Sequence, residues 1–344
     1  MSQNEITTCV NLLDSDGCVL NPGYAKSTLF KYDRNEIKAN GLRIKEWDYY
    51  CVLNDHFGIA LTIADNSYMG LDSITLFDFD HKSEISQSYM QFLTLGKKNL
   101  PSTSSIGDVK VEYKTHTIHF YLESDTRVLE FKINNFKDNI PLSGRIVLSD
   151  VPSESMVIAT PFDKPKHFYY NQKINCMRAE GVVKFGENEY VFHKEDSFGV
   201  LDWGRGVWTY ANTWYWGSAS GLVNGQPFGF NIGYGFGNTS AATENMLFYE
   251  GKAHKLSKVE FHIPKDSNGN EKYLEPWKFT SDDKRFELNF EPILDRNSNA
   301  KVLVIQSDQH QVFGHFSGVV ILDNGERLVI DKLIGFAEKV MNRW

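Results

Sequence analysis

The chain has 344 residues, a formal net charge of −8 and an aromatic content of 14%. This length is enough for two domains with full cores, so no disulfide scaffold is needed, and the four cysteines form no C-x-x-C pair that would indicate a zinc or redox motif. The negative charge argues against nucleic acid as a partner, because phosphate binding needs a local excess of Lys and Arg.

The first residues do not have the pattern of a secretion signal. Residues 1–17, MSQNEITTCVNLLDSDG, contain acids and polar residues where a signal needs a basic start and an apolar run. No stretch approaches the ~20 apolar residues of a membrane helix. We therefore expect a soluble, cytoplasmic protein without a transmembrane segment.

Period-two alternation of apolar and polar residues predicts half-buried antiparallel strands along most of the chain. These strands are expected at residues 49–65, 109–124, 127–136, 144–151, 181–193, 258–264, 285–293 and 326–340. Helical periodicity is limited to residues 83–96 and the tail 335–344. Strands at such short intervals predict an all-β fold of two antiparallel barrels or sandwiches in tandem, with few short helices.

Turn signals separate the strands. Asn224-Gly225 and Asn324-Gly325 lie between apolar runs, and this dipeptide favours a type I′ hairpin turn, in which both central residues have positive φ. Three prolines interrupt the alternation within residues 151–173. This interruption predicts an N-terminal domain at 1–160 and a C-terminal domain at 161–344.

One run of residues, 198–221, is unusually aromatic. Its sequence FGVLDWGRGVWTYANTWYWGSASG contains the indoles Trp203, Trp208, Trp214 and Trp216. On a strand, Trp214 and Trp216 share one face, where they could pack as core or form the wall of a ligand site. The glycine bends and the single acid in this run favour the wall, so all four indoles are candidate ligand-binding residues.

The acid in this run is Asp202, and Arg205 follows three residues later. An acid in apolar surroundings either has a raised pKa suited to general acid work or pairs with a cation. A catalytic Asp202, with Arg205 setting its charge state, and a structural Asp–Arg pair both remain open.

The glycine-rich segment 231–251 carries a second set of candidates. Its G-x-G-x-G spacing is not followed by a helix, so a dinucleotide site is not indicated. We interpret it as a loop that brings Tyr234, Asn238, Glu244 and Asn245 to a ligand site, with Glu244 as a further candidate for proton transfer.

Histidine spacing gives no support for a metal. His116 and His119, like His310 and His315, are an odd number of residues apart, which on a strand places them on opposite faces. We keep only His315, in HQVFGHFSG, as a candidate proton-transfer residue beside an aromatic pocket. Neither a metal nor a cofactor is expected.

Several long motifs resemble a known family. They are EWDYYCVLNDHFGIALTIADNSYMG, FGVLDWGRGVW, WYWGSASG, TENMLFYEGKAHKL, HQVFGHFSG and LIGFAEKVMNRW. From about Cys9 to Trp344 the chain resembles the bacterial and fungal family known as domain of unknown function 2804, which implies no particular reaction.

More distantly, the pattern is similar to the two-barrel lipocalin-like (calycin) proteins that include carotenoid 1,2-hydratase (hydroxyneurosporene synthase). That resemblance implies that Asp202 and Glu338 line the C-terminal barrel beside Trp214 and Trp216. Trp203 stands where those relatives carry a histidine.

Together these features predict a protein that binds a small hydrophobic or amphipathic ligand in an aromatic-lined C-terminal barrel. If it is an enzyme, we expect a cofactor-independent acid/base reaction of the hydro-lyase or isomerase type: addition, elimination, isomerisation or cyclisation. Asp202 would be the acid, and Glu338 or Glu244 would position or share the proton. A lipid or isoprenoid carrier, and a carbohydrate-active enzyme (glycoside hydrolase or lyase) with paired carboxylates, are the alternatives. The oligomeric state is open.

Overall fold

The computed structural model describes residues 3–302 and 305–343, and strand is by far the main regular secondary structure of this part. Two short 3-10 helices, Arg34–Glu36 and Gly41–Arg43, precede the first long strand. The strands are β1 (Val10–Asn11), β2 (Gly23–Ala25), β3 (Phe30–Lys31), β4 (Ile44–Leu53), β5 (Phe57–Asp65), β6 (Met69–Asp78), β7 (Ser83–Phe92), β8 (Val109–Glu112), β9 (His116–Glu123), β10 (Thr126–Lys137), β11 (Ile140–Ser149), β12 (Met156–Pro161), β13 (Phe168–Phe185), β14 (Asn188–Phe192), β15 (Phe198–Val207), β16 (Ala211–Val223), β17 (Gln226–Tyr234), β18 (Met246–Tyr249), β19 (Lys252–Lys255), β20 (Val259–His262), β21 (Trp277–Ser281), β22 (Phe286–Val302), β23 (Ile305–Ile321) and β24 (Arg327–Arg343).

The long strands form two curled antiparallel sheets. The first has the order β7-β6-β5-β4-β15-β13-β11-β10-β9-β8, and the second has the order β19-β18-β17-β16-β24-β23-β22-β21-β20. Each sheet is a half-barrel around its own apolar core; Leu61 and Leu129 lie in the first core, and Phe230 and Phe316 in the second. The predicted all-β fold of two antiparallel barrel-like units is confirmed.

The chain passes from the first sheet to the second between Val207 and Ala211. Strands β13 and β15 therefore pair with the N-terminal strands, although both come after residue 160. The passage from one sheet to the other therefore lies well after the proline-rich segment 151–173 in the chain. A division into domains at residue 160 stays a prediction.

Both predicted helical stretches are strands in the structure. Residues 83–92 form the edge strand β7, which pairs with β6, and residues 327–343 form β24, which pairs with β16 and β23. Weak local periodicity is overridden here by pairing with neighbouring strands. Trp344, the last residue of the predicted helical tail, lies outside the described residues.

The first predicted hairpin turn is confirmed. Asn224 and Gly225 join β16 to β17, and both have positive φ, 53° and 77°. At the second, Gly325 has positive φ within the loop between β23 and β24, while Asn324 does not. No helix in residues 3–302 and 305–343 is long and apolar enough to cross a membrane.

The two sheets also pack against each other through their outer faces. Tyr49 and Phe77 of the first sheet join Trp216, Phe313 and Phe336 of the second in one buried apolar cluster. Because side chains alternate along a strand, the residues between these point into the separate barrel cores. This shared outer layer is where the candidate site lies.

Candidate functional site

A cavity of about 230 Å³ lies between the two sheets. Strands of both sheets contribute to its wall. The lining residues are Trp47, Tyr49, Thr62, Ala64, Asn66, Leu71, Ser73, Tyr169, Lys173, Asp202, Trp208, Trp214, Trp216, Phe236, Glu244, Arg296, Gln309, Gln311, Glu338 and Asn342. Six of the residues singled out in the sequence are therefore brought together: Asp202, Glu244, Glu338, Trp208, Trp214 and Trp216.

The first sheet contributes one row of side chains from adjacent strands. In register, Tyr49 of β4 pairs with Asp202 of β15, and Asp202 pairs with Lys173 of β13. Thr62 of β5 continues the row on the other side of Tyr49. Register partners point to the same face of a sheet, so the row faces the cavity as a unit.

The second sheet contributes a matching row. Trp216 of β16 pairs with Glu338 of β24, Glu338 with Gln311 of β23, and Gln311 with Arg296 of β22. The row thus has an aromatic end at Trp216 and a cationic end at Arg296. Glu338 lies between them.

The cavity lies between the sheets, and the sequence-based placement inside the C-terminal barrel is corrected. Tyr215 and Ala337 belong to or pack against the C-terminal core, whereas their neighbours Trp216 and Glu338 face the opposite way. Strand alternation forces this difference. The aromatic run is therefore both core and wall, according to the face on which each residue lies.

The cation beside Asp202 is Lys173. Its Nζ atom lies 2.8 Å from Oδ2 of Asp202, and the two side chains are only 3% and 10% exposed. Asn171 donates a 2.6 Å hydrogen bond to the other carboxylate oxygen, Oδ1. The Lys173 ammonium also lies 3.7 Å from the ring centre of Trp216, so it links the two sheets.

Arg205 and Trp203 do not reach the cavity, which corrects their expected roles. Arg205 is fully buried in the first half-barrel, where its Nη1 atom lies 3.0 Å from Oδ1 of Asp48 and its guanidinium lies 4.2 Å from the Trp203 ring centre. Residues 202 and 205 are three apart on one strand, so they face opposite sides. The Asp202–Arg205 pair considered from the sequence does not form.

Glu338 is buried beneath an indole. Nε1 of Trp214 donates a 2.8 Å hydrogen bond to its Oε1 atom. Burial raises the pKa of Glu338 to about 7, although the Trp214 hydrogen bond and the Lys173 charge oppose the rise. At neutral pH this carboxyl populates both its protonated and its ionised forms.

Glu244 reaches the cavity from the glycine-rich loop. A Cβ atom at Gly233 would lie 2.5 Å from Oε1 of Glu244, so glycine at 233 leaves room for the carboxyl group. Burial raises the pKa of Glu244, and the nearby Lys173 charge counteracts it. Asn231 accepts a hydrogen bond from the Trp216 indole (2.7 Å) and donates one to the backbone oxygen of Glu244 (2.9 Å).

Besides Trp203, four residues predicted for the ligand site do not line the cavity. Tyr234 stacks on Tyr215 at 4.4 Å beside the C-terminal core, and Asn238 accepts a hydrogen bond from the backbone of its own exposed loop. Asn245 is buried and holds the loop by bonding the backbone of residues 233 and 257. His315 is part-exposed, 3.5 Å from Asp55.

Several lining residues were not identified from the sequence. Tyr169 and Lys173 lie in a stretch that the prolines marked as a boundary, and Trp47 lies on β4, far away in the chain. The alternation in β13 could have assigned Lys173 to one face. Its contact with Asp202 depends on strand pairing, which no local pattern encodes.

A second, larger pocket in the described structure contains none of the residues predicted from the sequence. A surface groove of about 970 Å³ crosses β8–β11 and β13 and is lined by charged side chains of both signs, such as Lys132 and Glu130. It contains none of the candidates. Within the described ranges, no group of three or more His, Cys, Asp or Glu side chains is placed to hold a metal ion.

The sequence pattern of the family described as domain of unknown function (DUF2804) matches residues 3–344. The chain belongs to the DUF2804 family. This confirms the family resemblance found in the motifs. No curated protein gives a significant sequence match.

Among solved structures, this DUF2804 chain is similar to an AttH candidate from Nitrosomonas europaea, with a TM-score of 0.52 and 12% sequence identity over 91% of this chain and 96% of the other. It is also similar to kievitone hydratase from Nectria haematococca, with a TM-score of 0.50 and 9% identity over 97% of this chain and 98% of the other. At such low identity these likenesses establish the shared fold alone.

Proposed function

We propose that the cavity between the two sheets binds a small, mainly apolar organic molecule, and that the protein catalyses a cofactor-independent acid/base reaction on it. The reaction classes are addition or elimination of water, isomerisation and cyclisation. The observation that carries the proposal is the convergence of three buried carboxyl groups and one buried lysine on a cavity walled by aromatic rings. Ionisable groups in such surroundings are candidates for proton transfer.

Glu338 is the proposed general acid. A pKa of about 7 is close to the value that favours proton transfer at neutral pH, because both forms of the group are populated. The Trp214 hydrogen bond holds the carboxyl in one orientation. Neighbouring aromatic faces can stabilise positive charge that develops on the substrate when it takes the proton.

We assign Asp202 a different role from that of general acid, which the sequence analysis expected for it. Both of its carboxylate oxygens have partners, Asn171 and Lys173, so it is proposed to fix the lysine rather than to transfer a proton. Glu244, which is buried and has a raised pKa, is the second proposed proton-transfer group.

The size of the cavity favours a compact ligand. Its volume of about 230 Å³ is below the ~300–1,000 Å³ typical of drug-sized sites, so an intact membrane lipid fits poorly. The hydratase activity for which the Nectria protein is named belongs to the same reaction class. That neighbour supports the fold, and the case for the chemistry rests on the cavity.

The test is a search for turnover without a known substrate. A small-molecule extract of cells that make the protein is incubated with the purified protein in ¹⁸O-labelled water and followed by mass spectrometry. We expect a compound that gains labelled oxygen, loses water or changes retention at constant mass. E338Q should slow this conversion by about 10²-fold or more, while R327Q, which changes an exposed arginine, should not.

Two outcomes would overturn the catalytic proposal. One is a compound that co-purifies with the protein and is never converted, which would make the protein a carrier. The other is conversion at the wild-type rate by E338Q.

A further inference from the structure

We infer that the ligand of this cavity carries a carboxylate, and that Arg296 binds it. The inference rests on the proposed function, because it concerns the molecule that occupies the same cavity. It adds a substrate class: an apolar body with one compact anionic group at the Arg296 end.

An irregularity in the second sheet turns Arg296 toward the cavity. Along β22, Leu288 and Phe290 face the C-terminal core, and the register with β23 then shifts between Pro292 and Leu294. One extra residue in a strand moves every later side chain to the other face. Without this bulge the alternation would point Arg296 into the core; with it, Arg296 lines the cavity.

The charge around Arg296 is not balanced by a carboxylate. Its Nη1 atom donates a 3.1 Å hydrogen bond to the amide oxygen of Gln311, which is neutral. The carboxylate of Asp202 is already paired with Lys173. Among the described residues, no Asp or Glu forms an ion pair with Arg296, so its guanidinium offers the cavity a positive charge.

The contacts of Arg296 with neutral neighbours allow its guanidinium to bind an anion. Gln311 is itself held by a 3.3 Å hydrogen bond from its Nε2 atom to the hydroxyl of Tyr49. A guanidinium presents paired N–H donors that match the two oxygens of a carboxylate. A ligand carboxylate at this end would place the rest of the molecule toward the indoles at the other end of the row.

Such a ligand would also change the pKa of Glu338, the proposed general acid. The charge of Arg296 is one of the influences that lower the pKa of Glu338. A substrate carboxylate bound to Arg296 would offset that charge and so favour the protonated form of Glu338 once the substrate is in place.

The test compares 2-naphthoate with 2-naphthamide, two flat probes of nearly equal shape that differ in charge. Binding to the full-length protein is measured by isothermal titration calorimetry. We expect the wild-type protein to bind the carboxylate about tenfold or more tightly than the amide, as a charge-assisted hydrogen bond predicts. R296Q should abolish this preference, while R327Q should behave as wild type.

The outcomes separate this inference from the proposed function. Equal binding of both probes by the wild-type protein, or a preference that survives in R296Q, would overturn the role of Arg296 while the apolar cavity stands. Loss of the preference in K173Q but not in R296Q would assign the anion to Lys173 and overturn it as well. Absence of binding by both probes would count against the proposed function itself.

Discussion

The indole of Trp214 donates a 2.8 Å hydrogen bond to Oε1 of Glu338, which lies on the neighbouring strand. Both residues belong to the second sheet and face the first across the cavity. The bond favours the ionised carboxylate, whereas burial favours the neutral acid. The balance between these two effects sets the proton affinity of the proposed acid.

Replacing Trp214 by phenylalanine should therefore raise the pKa of Glu338. The change keeps an aromatic ring but removes the N–H donor, and the loss of one charge-assisted hydrogen bond corresponds to about one pH unit. The titration is measured by carbon NMR of protein labelled at glutamate carboxyls, with E338Q assigning the signal. W216F is the matched control, because that indole donates to Asn231. An unchanged titration in W214F would contradict the prediction.

The titration of Glu338 should make the free energy of unfolding depend on pH. Its pKa rises from 4.5 to about 7 on folding, so between these values the folded state keeps a proton that the unfolded state has lost. Stability is then lost as the pH rises through this window. From about pH 4 to about pH 8 the wild type should lose on the order of 3 kcal/mol relative to E338Q. Urea unfolding at each pH measures the difference, and parallel curves for the two proteins would refute it.

Lys173 and Asp202 should depend on each other for stability. K173M leaves the Asp202 carboxylate, 10% exposed, without its cation, and breaking such a buried pair costs roughly 3–5 kcal/mol. The double variant K173M/D202N removes both charges and should be more stable than K173M. A double-mutant cycle by chemical denaturation gives the coupling energy. Additive effects of the two changes would show that the pair is not coupled.

Gly204 should be needed for the position of Trp47. A Cβ atom at residue 204 would lie 1.9 Å from Cζ2 of the Trp47 ring, which forms part of the cavity wall. G204A should lower the free energy of unfolding by about 1–3 kcal/mol and weaken binding of 2-naphthamide, because the ring must move. G41A is the control, since nothing lies within 4 Å of a Cβ atom there. A free energy of unfolding of G204A equal to that of the wild type would contradict the prediction.

Local patterns were sufficient for the fold class. Alternation predicted several of the long strands, including those that carry Tyr49 and Glu338, whereas β6, β17 and β23 lie outside the predicted ranges. It failed at residues 83–92, where the local pattern was ambiguous and pairing with β6 decided the conformation. Short weak signals are most easily overridden by tertiary contacts.

The candidate site was only partly predictable. Asp202, Trp214 and Trp216 could be singled out because they are unusual residues in one short run. The Asp202–Arg205 pair, one of the two alternatives considered for Asp202, does not form for a reason visible in the sequence, since residues three apart on a strand face opposite sides. The partner that replaces Arg205, Lys173, could not be found this way, because it comes from another strand.

The strand pattern, the family and the aromatic run can all be read from the sequence, because they depend on residues that are close together in the chain. Which faces meet is a property of the folded molecule. The row of Lys173 and Asp202 meets the row of Glu338 and Arg296 through strand register, the packing of two sheets and one bulge in β22. A shift of one residue in any of these would turn the side chains away from the cavity, and no local sequence pattern records it.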